Sequence, residues 1–269
     1  MDAWAALRWQ VEWGADEALE EQPVRRLAPP GQVAAEPVAL RPAPPPRPVA
    51  VPAATPRAAS TLPVVSQAER VAQAAASIEA LRAALASFEG CALRDTATNL
   101  VFADGNEQAG LMLIGEGPGA EEDREGRPFV GASGRLLDRM LASIGLDRTR
   151  VLITNVIPWR PPGNRAPTDT EILVCLPFLL RHVALVRPRR LVLLGGMATK
   201  SLTGQVQGIR RLRGRWIEVA IPGLPGPIPA LPVLHPAYLL RTPGAKRDAW
   251  ADWLLLRRTL DADSAVAAS

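Results

Sequence analysis

Four short apolar runs punctuate the chain: Leu111-Met112-Leu113-Ile114, Val151-Leu152-Ile153-Thr154, Leu191-Val192-Leu193-Leu194 and Leu231-Pro232-Val233-Leu234. They end on Gly115, Asn155, Gly195 and His235, spaced about 40 residues apart. None alternates apolar with polar positions, so each predicts a short strand covered on both faces. Helical patterns lie between them, notably Ser133–Ile144 and Thr168–Val186, and Thr168 with Glu171 has the form of a capping box. Strands alternating with helices predict an α/β fold: three layers, α/β/α, around a central, mostly parallel four-stranded sheet. In such sheets ligands bind beyond the carboxyl ends of the strands, so the four ends are expected to converge on one cleft.

Upstream the pattern changes. Ser66-Gln67-Ala68-Glu69 has capping-box form and opens an alanine-rich helix expected to run to about Phe88. Residues 22–65 hold 12 prolines in 44 positions. Proline fixes φ and removes a backbone donor, so a disordered, Pro-rich linker is expected there. Residues 1–21 read as a short amphipathic helix with Trp4, Trp9 and Trp13 near helical spacing. The expected division is a helix at 1–21 that docks a protein partner, a tether at 22–65 and a folded domain at 66–269.

Apolar residues make up 48% of the 269 and charged residues 22%, which suits a globular protein with a sizeable core. The two cysteines, Cys91 and Cys175, rule out a disulfide framework and point to a reducing, cytoplasmic setting. No run of about 18 apolar residues occurs, and the first residues lack the basic-then-apolar order of a signal peptide, so no membrane is expected. The net charge of +4 hides an asymmetry: residues 1–21 sum to −5, which leaves +9 on the remainder. Lys200 and Lys246 apart, that positive charge is arginine. Arginine is the better fork for phosphate, which makes nucleic acid a candidate partner, although solvated arginine faces give the same composition.

The segment Gly115-Glu116-Gly117-Pro118-Gly119-Ala120-Glu121-Glu122-Asp123 matches a dinucleotide fingerprint loosely at Gly115, Gly117 and Ala120. Pro118 interrupts it, the loop is acidic, and the next clear helix is expected only near Ser133. The alternative is a pocket floor whose glycines let backbone amides approach a planar ligand, with Glu116 facing it. Arg127-Pro128-Phe129-Val130-Gly131 then places an aromatic on a loop, either as a core plug or as a stacking platform. Asn155 either caps a turn or reads an amide or imide edge, because its side chain donates and accepts together. Pro161-Pro162-Gly163-Asn164-Arg165 is a rigid polar loop. Of the two histidines, His182 lies mid-helix and packs or faces solvent. His235 ends a strand before Pro236, where it can donate to developing negative charge. Tyr238-Leu239-Leu240-Arg241 reads as a wedge for a DNA stack or as a buried helix start.

In this order, GEGPGAEED, RPFVG, TNV followed by RPPGNRAP, and HPAYLLR resemble the uracil-DNA glycosylase superfamily, specifically its family-4 type, over about Phe88 to Leu260. The resemblance implies a monomeric enzyme that extrudes deoxyuridine from DNA and hydrolyses its N-glycosidic bond, leaving free uracil and an abasic site. It implies that Phe129 stacks on uracil, Asn155 pairs with O4 and N3–H, and Glu122 crowds C5 against a thymine methyl. Glu116 would position water and support an oxocarbenium-like sugar, while His235 stabilises the departing uracil anion. Gly115, Gly117 and Asn164 would complete the uracil pocket. Arg160, Arg165 and Arg213, with Arg210 and Arg215, would meet phosphates, and Tyr238, Leu239 and Arg241 would fill or flank the vacated stack. Neither Lys200 nor Lys246 falls in a matched motif, so no Schiff base and no strand cleavage is expected. A non-catalytic module that binds uracil or abasic DNA is the alternative, and the presence of Glu116, Asn155 and His235 together weighs against it. The family pattern also carries four cysteine ligands for a [4Fe–4S] cluster. Here Cys91 and Cys175 match two of them and Phe88 and Trp159 stand at the others, so no cluster, metal or other cofactor is expected.

Overall fold

A computed structural model describes residues 61–268. The helix expected at 1–21 and all but the last five residues of the expected linker lie outside that range. Three helices come first: α1 (Thr61–Ala74), α2 (Ile78–Ser87) and α3 (Leu93–Thr96). Then follow β1 (Ala103–Gly105), β2 (Leu111–Gly115), α4 (Ala120–Glu125), α5 (Ala132–Ser143) and β3 (Leu152–Asn155). Next are α6 (Asp169–Val186), β4 (Arg190–Leu194), α7 (Gly196–Thr203) and α8 (Ile209–Leu212). The chain continues through β5 (Ile217–Val219), β6 (Ile228–Val233), α9 (Pro236–Arg241) and α10 (Lys246–Ala268). No described helix is long and apolar enough to cross a membrane.

The strand order is β1-β3-β2-β4-β6-β5. The four apolar runs form its parallel centre, β3-β2-β4-β6. Two short edge strands, β1 and β5, pair antiparallel with β3 and β6, so the sheet is mixed and has six strands instead of four. Successive side chains of the central strands enter opposite layers. Met112, Ile114, Leu191 and Leu193 join a core with residues of α1, α2 and α6. Leu111, Leu113, Val192 and Leu194 join another with residues of α5 and α10. This period of two gives the three layers. Pro232 is tolerated inside β6 because its carbonyl accepts from Gly214 N–H (3.1 Å). Its nitrogen therefore faces the same side, past the end of β5, where no ladder donor is missing.

Two helical expectations change. The stretch opened at Ser66 is two helices, with Ser77 capping the second by accepting from Ala80 N–H (3.1 Å). The first begins at Thr61, because Val64 and Val65 pack on the core and Pro63 sits in the first turn, where its missing N–H costs nothing. Burial of two valines thus carries helix into the expected linker. A helix also follows the glycine motif at once: α4 starts at Ala120, and the Glu122 carboxylate reaches back to Gly119 N–H (3.0 Å).

Candidate active site

A cavity of about 450 Å³ opens beyond the carboxyl ends of the central strands. At its floor Gly115, ending β2, is in register with Asn155, ending β3. A Cβ on Gly115 would lie 2.5 Å from Asn155 Oδ1 and 2.6 Å from two carbons of the Phe129 ring. The missing side chain is what lets ring and amide meet over the strand end. Phe129 is 4% exposed, and its ring centroid lies 5.6 Å from that of His235 with the planes tilted by 33°. Gly195, ending β4 at φ +97°, backs His235 in turn, with only 3.1 Å between its virtual Cβ and that of the histidine. Asn155 Oδ1 is buried and has no hydrogen-bond partner within the protein. An unsatisfied buried acceptor costs about 1–3 kcal/mol, so this atom is set for a donor that enters the cavity.

Three charged or titratable groups surround that floor. His235 Nδ1 accepts from Ala237 N–H (3.1 Å), so the neutral ring carries its proton on Nε2. Withdrawal from water pushes its pKa down to about 4, and the Arg241 charge acts in the same direction. The imidazole is therefore a neutral donor at physiological pH. Glu116 is half-buried on the opposite lining; burial raises its pKa and Arg241 partly offsets that. Glu122 also lines the cavity, but both of its oxygens are engaged: Oε2 accepts from Gly119 N–H (3.0 Å) and Oε1 from Gly131 N–H (2.8 Å). It is a strut between the glycine motif and the Phe129 loop.

The expected residues separate into three groups. Glu116, Gly117, Glu122, Phe129, Asn155 and His235 line the cavity, with Gly115 directly beneath the Phe129 ring. Asn164, Arg165 and Arg241 form its exposed rim. Arg160 Nε donates to Asn164 Oδ1 (2.7 Å), and Arg165 forks onto Glu171 (2.6 and 2.9 Å), so both sit on the same loop mouth. Two expectations are overturned. Leu239, expected as a wedge, is 1% exposed and belongs to the core beneath α9, whereas Leu240 beside it is 41% exposed. Arg213, expected at phosphates, forks onto the buried Asp252 (2.8 Å twice) and donates to the Asp248 carbonyl. It fastens the loop before β5 to α10. Tyr238 is half-buried against the same core as Leu239. His182 is buried, stacked 4.6 Å from Phe102, and burial lowers its pKa to about 4.

Arg148 was absent from the sequence candidates, yet it donates to the carbonyls of Pro128 (3.2 Å) and Phe129. Gly134 was also missed: a Cβ there would fall 1.7 Å from the Phe129 carbonyl oxygen. The turn Asp147-Arg148-Thr149-Arg150 offers no periodicity that separates Arg148 from Arg150, and Gly134 inside an amphipathic helix reads as a weak helix former.

The four cluster positions are packed shut. Phe88, Cys91, Trp159 and Cys175 are each 2–4% exposed, and Phe88 lies edge-on to Phe178 at 5.1 Å. The two sulfurs are 3.9 Å apart. Two thiols and two rings do not supply the four ligands of a [4Fe–4S] cluster, so these residues do not fit that group. Among the described residues no cluster of three or more His, Cys, Asp or Glu side chains could hold a metal ion.

The uracil DNA glycosylase superfamily matches residues 102–254, a span that runs from before β1 into α10 and includes every residue of the cavity floor. The chain is 40% identical over 167 residues to a type-4 uracil-DNA glycosylase of Archaeoglobus fulgidus, covering 61% of this chain and 83% of the relative. It is 35% identical over 180 residues to the type-4 enzyme of Pyrobaculum aerophilum, covering 65% and 90%. With that of Thermotoga maritima it shares 40% over 152 residues, covering 56% and 77%. A glycine-floored cavity at the parallel strand ends and this extent of matched sequence lead to one assignment: the chain belongs to the uracil-DNA glycosylase superfamily, in its type-4 branch.

Proposed function

We propose that this protein excises uracil from DNA by hydrolysing the N-glycosidic bond of deoxyuridine, releasing free uracil and leaving an intact abasic strand. One observation carries the reading: an unpartnered, buried Asn155 Oδ1 beside the Phe129 ring. Uracil presents a planar face together with an adjacent donor, N3–H, and acceptor, O4. Phe129 takes the face, Oδ1 accepts from N3–H, and the Asn155 amide donates to O4. His235 then meets the negative charge that develops on uracil as the bond breaks. A neutral Nε2–H donor suits this task, because it stabilises an anion without a proton transfer that its pKa of about 4 disfavours. Glu116, ionised, supports positive charge on the sugar and orients the attacking water.

The base reaches this cavity flipped out of the duplex. Leu240 and Arg241 at the rim are the side chains free to enter the vacated stack, and Arg160 and Arg165 stand where the backbone passes. Phosphate contacts of this kind position the strand without reading sequence. The enzyme works as a cluster-free monomer in a reducing, cytoplasmic compartment, and residues 1–21 dock a protein partner. A uracil-containing oligonucleotide followed by alkali tests the reaction. Wild type should produce cleavage at uracil, with Asn155→Ala and His235→Ala lower by about 10²–10³-fold, the scale of losing one oxyanion donor. Tight binding to the oligonucleotide without excision would instead identify a binding module. Absorbance near 400 nm in anaerobically purified protein would contradict the cluster-free reading.

A further inference from the structure

Phe129 holds a backbone that a bulky L-residue avoids, φ +55°. Such a conformation costs on the order of 1–3 kcal/mol and persists only where its surroundings over-determine it. Those surroundings converge on one side chain. Arg148 donates from Nη2 to the Phe129 carbonyl and from Nη1 to the Pro128 carbonyl (3.2 Å). The same guanidinium bonds Asp104 Oδ2 on β1 (2.6 Å) and Asp138 on α5 (2.9 and 3.3 Å). All three of its nitrogens are used, and its side chain is 24% exposed. Gly134 permits this arrangement by leaving room for the Phe129 carbonyl against α5.

We infer that Arg148 is a positioning residue for the base-stacking ring: it pins the Phe129 carbonyl between β1 and α5 and thereby fixes the plane on which uracil lies. The inference rests on the reading above, in which Phe129 carries the base. It explains why an edge strand of three residues contributes an inward-leaning aspartate, and why the role suits arginine. A lysine supplies one point charge and cannot reach two carboxylates and two carbonyls in a fixed fork.

The test compares Arg148→Met and Arg148→Lys with wild type, each with and without Phe129→Ala. In single-turnover excision at saturating enzyme, Arg148→Met should be slower by about 10²-fold, the usual consequence of misplacing a positioning group by an ångström. Arg148→Lys should remain at least roughly tenfold below wild type, and binding to undamaged duplex should be unchanged for both. In the Phe129→Ala background either substitution should add little, because the group it acts through is gone. Equal losses in both backgrounds, or a wild-type rate in Arg148→Met, would overturn the inference. Amide exchange at Val130 and Gly131 separates this failure from failure of the functional reading. Faster exchange in the Arg148 variants is expected whatever the activity, and unchanged exchange overturns the positioning role. A Phe129→Ala enzyme that excises at the wild-type rate would remove the stacking reading and, with it, the role assigned to Arg148.

Discussion

Gly115→Ala adds one methyl group at the point where the strand, the ring and the amide meet. Its Cβ would lie 2.5 Å from Asn155 Oδ1 and 2.6 Å from the Phe129 ring, against an ordinary contact of 3.4–4 Å. Ring and amide must each retreat by about 1 Å, or the strand end must shift by a comparable amount. Overpacking of this kind costs about 1–3 kcal/mol of stability, a fall of several degrees in Tm for a domain of this size. The larger effect is on chemistry: a displacement of about 1 Å between positioning groups costs about 10²-fold in rate. Gly117→Ala, two residues further along the same motif, is the built-in control. Its Cβ would meet Ile157 Cβ at 3.4 Å, an ordinary contact, so excision within a few-fold of wild type is expected. The assay is kcat/KM on a uracil oligonucleotide, read by alkaline cleavage, with thermal unfolding of each variant alongside. Gly115→Ala working within threefold of wild type, or Gly117→Ala failing as badly, would refute the steric argument and with it the placement of Asn155 and Phe129 at the working floor.

Further predictions concern pH, charge and the wedge. Burial raises the Glu116 pKa above its ordinary 4.5, so kcat/KM should fall on acidification with a midpoint above 4.5, as the carboxylate protonates while His235, with its pKa of about 4, is still neutral. Glu116→Gln should lose that limb along with most of the rate, and a limb centred at or below 4 would assign it to His235 instead. Arg213→Ala strands the buried Asp252, so it should cost about 3–5 kcal/mol in denaturant unfolding and leave the salt dependence of DNA binding unchanged. Arg160→Ala should do the reverse, reducing the log–log salt slope by about one with little loss of stability. Leu239→Ala should destabilise by about 2–5 kcal/mol, whereas Leu240→Ala should leave Tm intact and slow excision from duplex DNA more than from single strands.

The parallel centre of the sheet was legible because its strands are buried on both faces. A run such as Leu191-Val192-Leu193-Leu194 has no polar position to confuse its period, and the residue that ends it marks the ligand edge. The edge strands carry no such signal. Ala103-Asp104-Gly105 and Ile217-Glu218-Val219 are short and partly exposed, and they form because neighbours offer unpaired backbone, not because their own side chains demand it. The helix of α4 was hidden for a related reason. Its N-terminal acids read as a loop too acidic for a phosphate, but one of them, Glu122, is the group that caps it. Tertiary burial also moved the start of the folded unit: nothing local marks Thr61, and only the packing of Val64 and Val65 on the core makes the end of a proline-rich stretch helical.

At the cavity, motif spacing identified residues that act at strand ends and failed where helical phase decides. Leu239 and Leu240 are chemically identical neighbours, and about 100° of helix rotation puts one in the core and the other at the rim. That phase follows from where α9 starts, and His235 sets the start by capping the helix through Nδ1. The bond that orients the histidine toward the cavity is thus also the bond that selects which leucine faces outward. Arginines show the same limit in electrostatic form. Arg213 and Arg160 are equally basic in the sequence, but a carboxylate 39 residues away turns the first into a buried clamp. Arg148 holds a ring against two aspartates that come from different layers. Positive charge in this chain therefore does two jobs, fastening loops from within and meeting DNA from outside. Side-chain exposure of 18% for Arg213 and 24% for Arg148, against 44% for Arg165, divides them where composition could not.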